Sequence, residues 1–138
     1  MTYEEWEQGL PSAVRNDTIF RVQAFRLASF IADCVARDSH SLADDPRLAK
    51  TLPQLLRAAA SVSANIAEGY PRRSPRDRVR YYEYALGSAA ETKSWYLSLR
   101  TALPPDTIEE WFAVLTSITR LLRTMIRSST LPPPATLP

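Results

Sequence analysis

Residues Leu55 to Trp95 read LLRAAASVSANIAEGYPRRSPRDRVRYYEYALGSAAETKSW. In the first part of this stretch Leu55, Ala59, Val62 and Ile66 recur at steps of three or four, the spacing that places apolar side chains on one face of an α-helix. Gly69 and Pro71 then interrupt the pattern. Ser74-Pro75 restarts it, with a hydroxyl able to cap the exposed backbone N–H groups and a proline at the first helical position, where no N–H is needed. Asp77 stands at the third helical position, a shorter version of the carboxylate of a capping box. Val79, Tyr82, Ala85, Leu86, Ala89 and Tyr96 carry the new stripe onward. Two helices joined by so short a link fold back as antiparallel neighbours.

Working outward, the second helix begins at Asp45-Pro46, a capping residue before a proline, and adds Leu48, Leu52 and Leu56 to its apolar set. The third continues through Leu99 and Leu103 to the stop at Pro104-Pro105. Ahead of them a first helix is predicted from Asp17 to Asp38, with Asn16 or Asp17 as N-cap and Phe20, Ala24, Leu27, Ile31, Cys34 and Val35 on its face. Ile19, Val22 and Phe30 widen that face. A fourth starts near Asp106, with Glu109 and Glu110 in the turn where the macrodipole favours negative charge. It buries Ile108, Trp111, Phe112, Leu115, Ile118, Leu122 and Ile126. The expected fold is all-α, an up-down-up-down four-helix bundle over residues 17–129, with an acidic N-terminal segment over 1–16 and a Pro-rich, disordered tail over 130–138. Trp6 is a candidate anchor for a short helix that Gly9 and Pro11 would end. Val114, Leu121 and Met125 flank the fourth stripe as Phe30 flanks the first, so both apolar arcs are wider than a bundle needs, and self-association is the simplest cover.

Composition narrows the function. Seventeen Lys+Arg against fifteen Asp+Glu leave a net charge of only +2. The charges are unevenly distributed, with four basic and eight acidic residues up to Asp45, then thirteen and seven. All the basic residues except Lys50 and Lys93 are arginines, whose planar guanidinium suits phosphate and carboxylate partners. Cys34 is the single cysteine, which excludes an intramolecular disulfide and fits a reducing, cytoplasmic setting. His40, the single histidine, stands in a polar stretch with no second ligand at metal spacing. There is no Gly-rich phosphate loop and no apolar run long enough to cross a bilayer. The expectation is a non-enzymatic protein without catalytic residues, metal or cofactor.

Arg57, Ala58 and Ser61, then Ala64 to Tyr70, Arg72 and Arg73, Tyr82, Ala85 to Ser88 and Glu91 together resemble the four-helix bundle family associated with intervening sequences of bacterial 23S ribosomal RNA genes. The resemblance spans most of the chain. It implies a homopentamer shaped as a basic barrel. It also implies kinship with the accessory variability determinant of diversity-generating retroelements, which binds a reverse transcriptase and nucleic acid.

Two residue groups are candidate sites. Arg72, Arg73, Arg76 and Arg80 crowd the joint between the second and third helices, interleaved with Tyr70, Tyr81, Tyr82 and Tyr84, and Arg120, Arg123 and Arg127 share one face of the fourth. These are predicted to bind RNA or DNA phosphates, or a nucleic-acid enzyme such as a reverse transcriptase, on a repeating array made by oligomerisation. A protein-only adaptor with no nucleic-acid binding is the rival reading. Asn65, Glu68, Arg78, Ser88 and Glu91 border the stripes of the second and third helices and read as a structural polar cluster that fixes register. Within it, Arg78 is predicted to contact Glu68 or Asn65, because Glu68 lies in the last turn of its helix and needs a cation.

Overall fold

The computed structural model describes residues 1–130, and among these every regular element is helical. They are α1 (Tyr3–Gln8), α2 (Ser12–Arg15), α3 (Gln23–Ser41), α4 (Thr51–Gly69), α5 (Pro75–Ser98) and α6 (Pro105–Thr130), with 3₁₀ turns at Thr18–Arg21 and Pro46–Leu48. The tail expected from Leu131 to Pro138 lies outside the described residues.

α3 to α6 form the bundle, each packed against the next and α6 closing back onto α3. Their directions follow from side-chain register. Arg57 meets Glu91 and Ser61 meets Ser88, while Gly69 lies against Tyr81, so α4 and α5 are antiparallel. Lys93 donates to the Thr116 hydroxyl at 2.9 Å and Tyr82 shares a cleft with Leu121 and Thr124, so α5 and α6 are antiparallel as well. The core holds the expected stripes: Ile31, Cys34 and Val35 from α3, Leu55, Val62 and Ile66 from α4, Ala85, Ala89 and Tyr96 from α5, and Leu115, Ile118 and Leu122 from α6 are all fully buried.

Helix starts differ from expectation in a consistent way. Asp17 and Asp45 do cap, accepting the N–H of Ile19 and of Arg47, but each opens a short 3₁₀ turn before the α-helix. α4 starts at Thr51 and takes Pro53 in its first turn, where a missing N–H is harmless. Ser74 caps α5 as read, accepting from the Asp77 N–H. α5 ends at Ser98, short of the prolines, with Leu99 buried just beyond it.

Phe30 was expected on an uncovered arc, and it is buried. Its cover comes from the same chain. Tyr3 and Trp6 of α1 reach the ring at centroid distances of 5.6 Å each, and Trp111 meets it edge-on at 6.0 Å. α1 is closed by a capping box between Thr2 and Glu5 and held on α3 by the Trp6 indole N–H, which donates to Asp33 at 2.7 Å. Burial of such an aromatic side chain contributes about 2 kcal/mol, enough for a six-residue helix to hold its place only as part of the bundle. Among the described residues the excess arc of α6 has no such cover, and Val114, Leu121 and Met125 stay half-buried.

Gly69 was read as a stop signal, and its conformation is ordinary helix. Proximity is what requires it. A Cβ at this position would stand 2.7 Å from the Tyr81 Cβ, so α4 and α5 approach more closely at this end than any side chain allows.

Candidate nucleic-acid interface

The up-down-up-down course gathers the α3 start, the α4 end, the α5 start and the α6 end at one pole. The first arginine group falls there, and the second runs toward it. Arg72 and Arg73 occupy the α4–α5 turn and Arg76 and Arg80 the first turns of α5, while Arg127 stands in the last turn of α6 with Arg123 one turn and Arg120 two turns nearer the middle of the bundle. The register of Lys93 on Thr116 brings Arg80 level with Arg127, so two sets distant in sequence become neighbours in height. A helix C-terminus carries partial negative charge, which favours Arg127 in the last turn of α6. The opposite pole carries Asp38, Asp44, Asp45, Asp106, Glu109 and Glu110.

All seven arginines are exposed. Arg72 is partly committed, donating to Glu68 at 3.2 Å and to the Tyr81 hydroxyl at 3.3 Å. Its guanidinium lies over the Tyr81 ring at 5.0 Å, and that of Arg80 does so at 5.1 Å. Arg80 also pairs with Asp77 at 3.5 Å. Among the described residues Arg73, Arg76, Arg120, Arg123 and Arg127 make no ion pair. Their charge is available to an outside anion.

The expected contact of Arg78 with Glu68 or Asn65 is absent. Arg78 Nη1 donates instead to the carbonyls of Arg72 and Arg73, at 2.7 and 3.0 Å, closing the turn, and Glu68 takes Arg72. The reason is geometric: the turn reverses so tightly that its own carbonyls, left unsatisfied at the helix end, are nearer to Arg78 than a carboxylate on the outer side of α4. The remaining polar candidates fall into two separate sets. Asn65 donates to the carbonyl and hydroxyl of Ser61, and Ser88 donates to that hydroxyl at 2.9 Å across the α4–α5 seam. One turn away Glu91 accepts from Arg57 at 2.7 Å and from the Trp95 indole at 3.3 Å. Both sets lock register between α4 and α5.

A more enclosed polar group was missed. Asp38 Oδ2 accepts from the Tyr96 hydroxyl and from the Trp111 indole N–H, each at 2.9 Å, tying α3 to α5 and α6. The usable signal was in the donors, since a buried tryptophan N–H or tyrosine hydroxyl requires an acceptor. Burial, aided by the Asp38 carboxylate, pushes the Tyr96 hydroxyl well above its ordinary value. The Cys34 thiol, one turn earlier on α3, is pushed up to about 11 by burial.

Beside the arginines a cleft of about 590 Å³ opens between α3 and α6. Val22, Ala24, Leu121 and Met125 give it an apolar floor, and Tyr70, Tyr82 and Arg78 close its α4–α5 side. Burial raises the Tyr82 hydroxyl pKa, against the pull of the Arg78 charge. Among the described residues no group of histidine, cysteine and carboxylate side chains is placed to hold a metal ion, and no helix is long and apolar enough to cross a membrane.

Comparison with known proteins gives one family. The model of the 23S rRNA-intervening sequence protein family matches residues 21–124. A solved structure from Bacteroides thetaiotaomicron, described as a protein of unknown function from the S23 ribosomal protein family, is similar in fold with a TM-score of 0.70. It shares 25% identity, over 75% of this chain and 98% of that one. No curated protein matches.

Proposed function

The chain belongs to the 23S rRNA-intervening sequence protein family, and on that premise we propose that it is a non-enzymatic, oligomeric scaffold whose arginine-rich pole binds nucleic-acid phosphates. The observation that carries this reading is the set of Arg73, Arg76, Arg120, Arg123 and Arg127, exposed and without ion pairs among the described residues, which covers one end of the bundle and runs from it along α6. Five guanidinium groups on one subunit attach weakly at physiological salt. Repetition in a ring, five copies in the form we propose, makes separate weak contacts act together. The half-buried arc of Val114, Leu121 and Met125 on α6 supports assembly, whereas α3 offers less than its sequence promised because α1 covers Phe30. A nucleic-acid enzyme, such as a reverse transcriptase, is the partner class that would share the bound strand.

The test is a salt series of RNA and DNA binding on protein whose mass has been measured by light scattering. The expected mass is several times 15.5 kDa. Affinity should fall steeply as salt rises and should not depend on base sequence, because phosphates carry none. Replacing Arg120, Arg123 and Arg127 together by Gln should flatten the slope and leave the mass unchanged. Absence of binding at low salt, or an affinity indifferent to the substitution, would replace this reading with a protein-only adaptor.

A further inference from the structure

The arginine face accounts for attachment to any phosphate backbone, but it leaves the adjoining cleft without a role. Resting on the nucleic-acid reading above, we propose that the cleft between α3 and α6 holds one unpaired base of a single strand whose backbone runs along the arginines.

The cleft's chemistry points to that occupant. Its volume, about 590 Å³, falls within the range of about 300–1,000 Å³ typical of small-molecule sites. Val22, Leu121 and Met125 offer an apolar floor that a flat, weakly polar ring can cover. The hydroxyls of Tyr70 and Tyr82 have no hydrogen-bond partner among the described residues. Each can donate or accept, as the mixed edge of a base demands. Among the described residues one charged side chain lines the cleft. Arg78 is held by its Nη1 on the carbonyls of Arg72 and Arg73, which leaves Nε and Nη2 without a hydrogen-bond partner among the described residues and links the cleft to the turn that begins the arginine track. One fixed cation beside neutral hydroxyls and an apolar floor matches one phosphate joined to one base. An acidic peptide would require more cations inside, and an apolar peptide would leave Arg78 and both hydroxyls unpaired.

A paired base cannot enter, because extruding it from a duplex costs stacking and pairing. The cleft therefore adds a preference for single strands to a face that has none. Tyr70, 38% exposed at the rim, forms a wall that can stack on the entering ring, an interaction that typically changes affinity by about tenfold or more per base.

The experiment compares binding of the full-length protein to a short uridine homopolymer, a thymidine homopolymer and a duplex of equal length, by fluorescence anisotropy at one salt concentration. Two variants are used: Tyr70→Ala, which removes the rim ring, and Ser128→Phe, which fills the mouth from the exposed side of α6. Single strands should bind more tightly than duplex to the wild type, and both variants should lose about tenfold for the single strands with duplex affinity unchanged. Uridine and thymidine strands responding alike place recognition on the shared base edge and phosphate, and a response from one alone adds a requirement at the 2′-hydroxyl or the C5 methyl, the two groups by which the strands differ. If duplex and strand bind the wild type equally, or the variants bind both as before, the cleft proposal fails while the arginine reading stands. If both variants weaken strand and duplex together, the cleft shapes the face and holds no base, which overturns the proposal. Failure of the wild type to bind any of the three removes both readings.

Discussion

The two poles of the bundle solve opposite problems with similar residues. At the pole where α3 and α5 end and α6 begins, an acid, a tyrosine and a tryptophan are turned inward and satisfied by one another: Asp38 takes both Tyr96 and Trp111. At the other pole Tyr70, Tyr81 and the arginines are turned outward, with Tyr81 under two guanidinium groups, while the hydroxyls of Tyr70 and of the buried Tyr82 at the cleft are unpartnered among the described residues. A satisfied polar network rigidifies a core, and an unsatisfied one at a surface is available to a ligand. Stability is therefore expected to concentrate at the acidic pole and binding at the basic one.

The strongest way to break this contrast is Asp38→Ala. It strands a buried phenol and a buried indole N–H at once, and each stranded donor costs roughly 1–3 kcal/mol. A loss of about 3 kcal/mol is expected, read as a lower urea midpoint with an unchanged slope, and Asp38→Asn, which keeps an acceptor, should recover part of it. A loss below that of an ordinary surface substitution would mean the acidic pole is not where the bundle is held.

Next in size is Gly69→Ala at the basic pole. The added methyl meets the Cβ of Tyr81, which is fixed to the backbone and cannot swing away, and it crowds Tyr82 at 3.1 Å. Overpacking of this kind costs about 2 kcal/mol. Because the strain falls between α4 and α5, it should also disturb the neighbouring arginine turn, so nucleic-acid affinity and stability should fall together, whereas Asp38→Ala should lower stability alone.

These contrasts also show what was legible in the sequence. Strong apolar period and proline punctuation made the four long helices readable, because Ser74-Pro75 and the Leu55 to Ile66 stripe each have one physical meaning. The cover on Phe30 was not readable, since nothing in Tyr3 to Trp6 says which of several apolar faces a six-residue helix will choose. Gly69 carried two meanings, stop and close approach, and periodicity cannot separate them. The two arginine groups were found by spacing along each helix. Their meeting near one pole required the chain's course, and the inward-facing Asp38 looked like any other acid near a helix end.

The smallest expected effect falls on Glu68, where sequence reasoning expected most. Had it been a buried partner of Arg78, Arg78→Ala would have cost on the order of 3 kcal/mol by stranding its carboxylate. It stands instead on the outer side of α4 with its side chain 57% exposed, paired at 3.2 Å with an Arg72 that is itself 43% exposed and four residues on. Water solvates both groups almost as well apart as together, and holding two long side chains in one geometry costs entropy, so pairs of this kind contribute about 0.3–0.5 kcal/mol. Arg72 would retain the Glu68 carbonyl, the Tyr81 hydroxyl and the Tyr81 ring after the carboxylate is gone. Glu68→Gln should accordingly change the unfolding free energy from a urea titration by less than about 0.5 kcal/mol, while removing one negative charge from the arginine pole and raising nucleic-acid affinity slightly at low salt. A loss of several kcal/mol in the same titration would mean that Glu68 works as a buried partner after all, and that the basic pole is held together by the same kind of inward network as the acidic one.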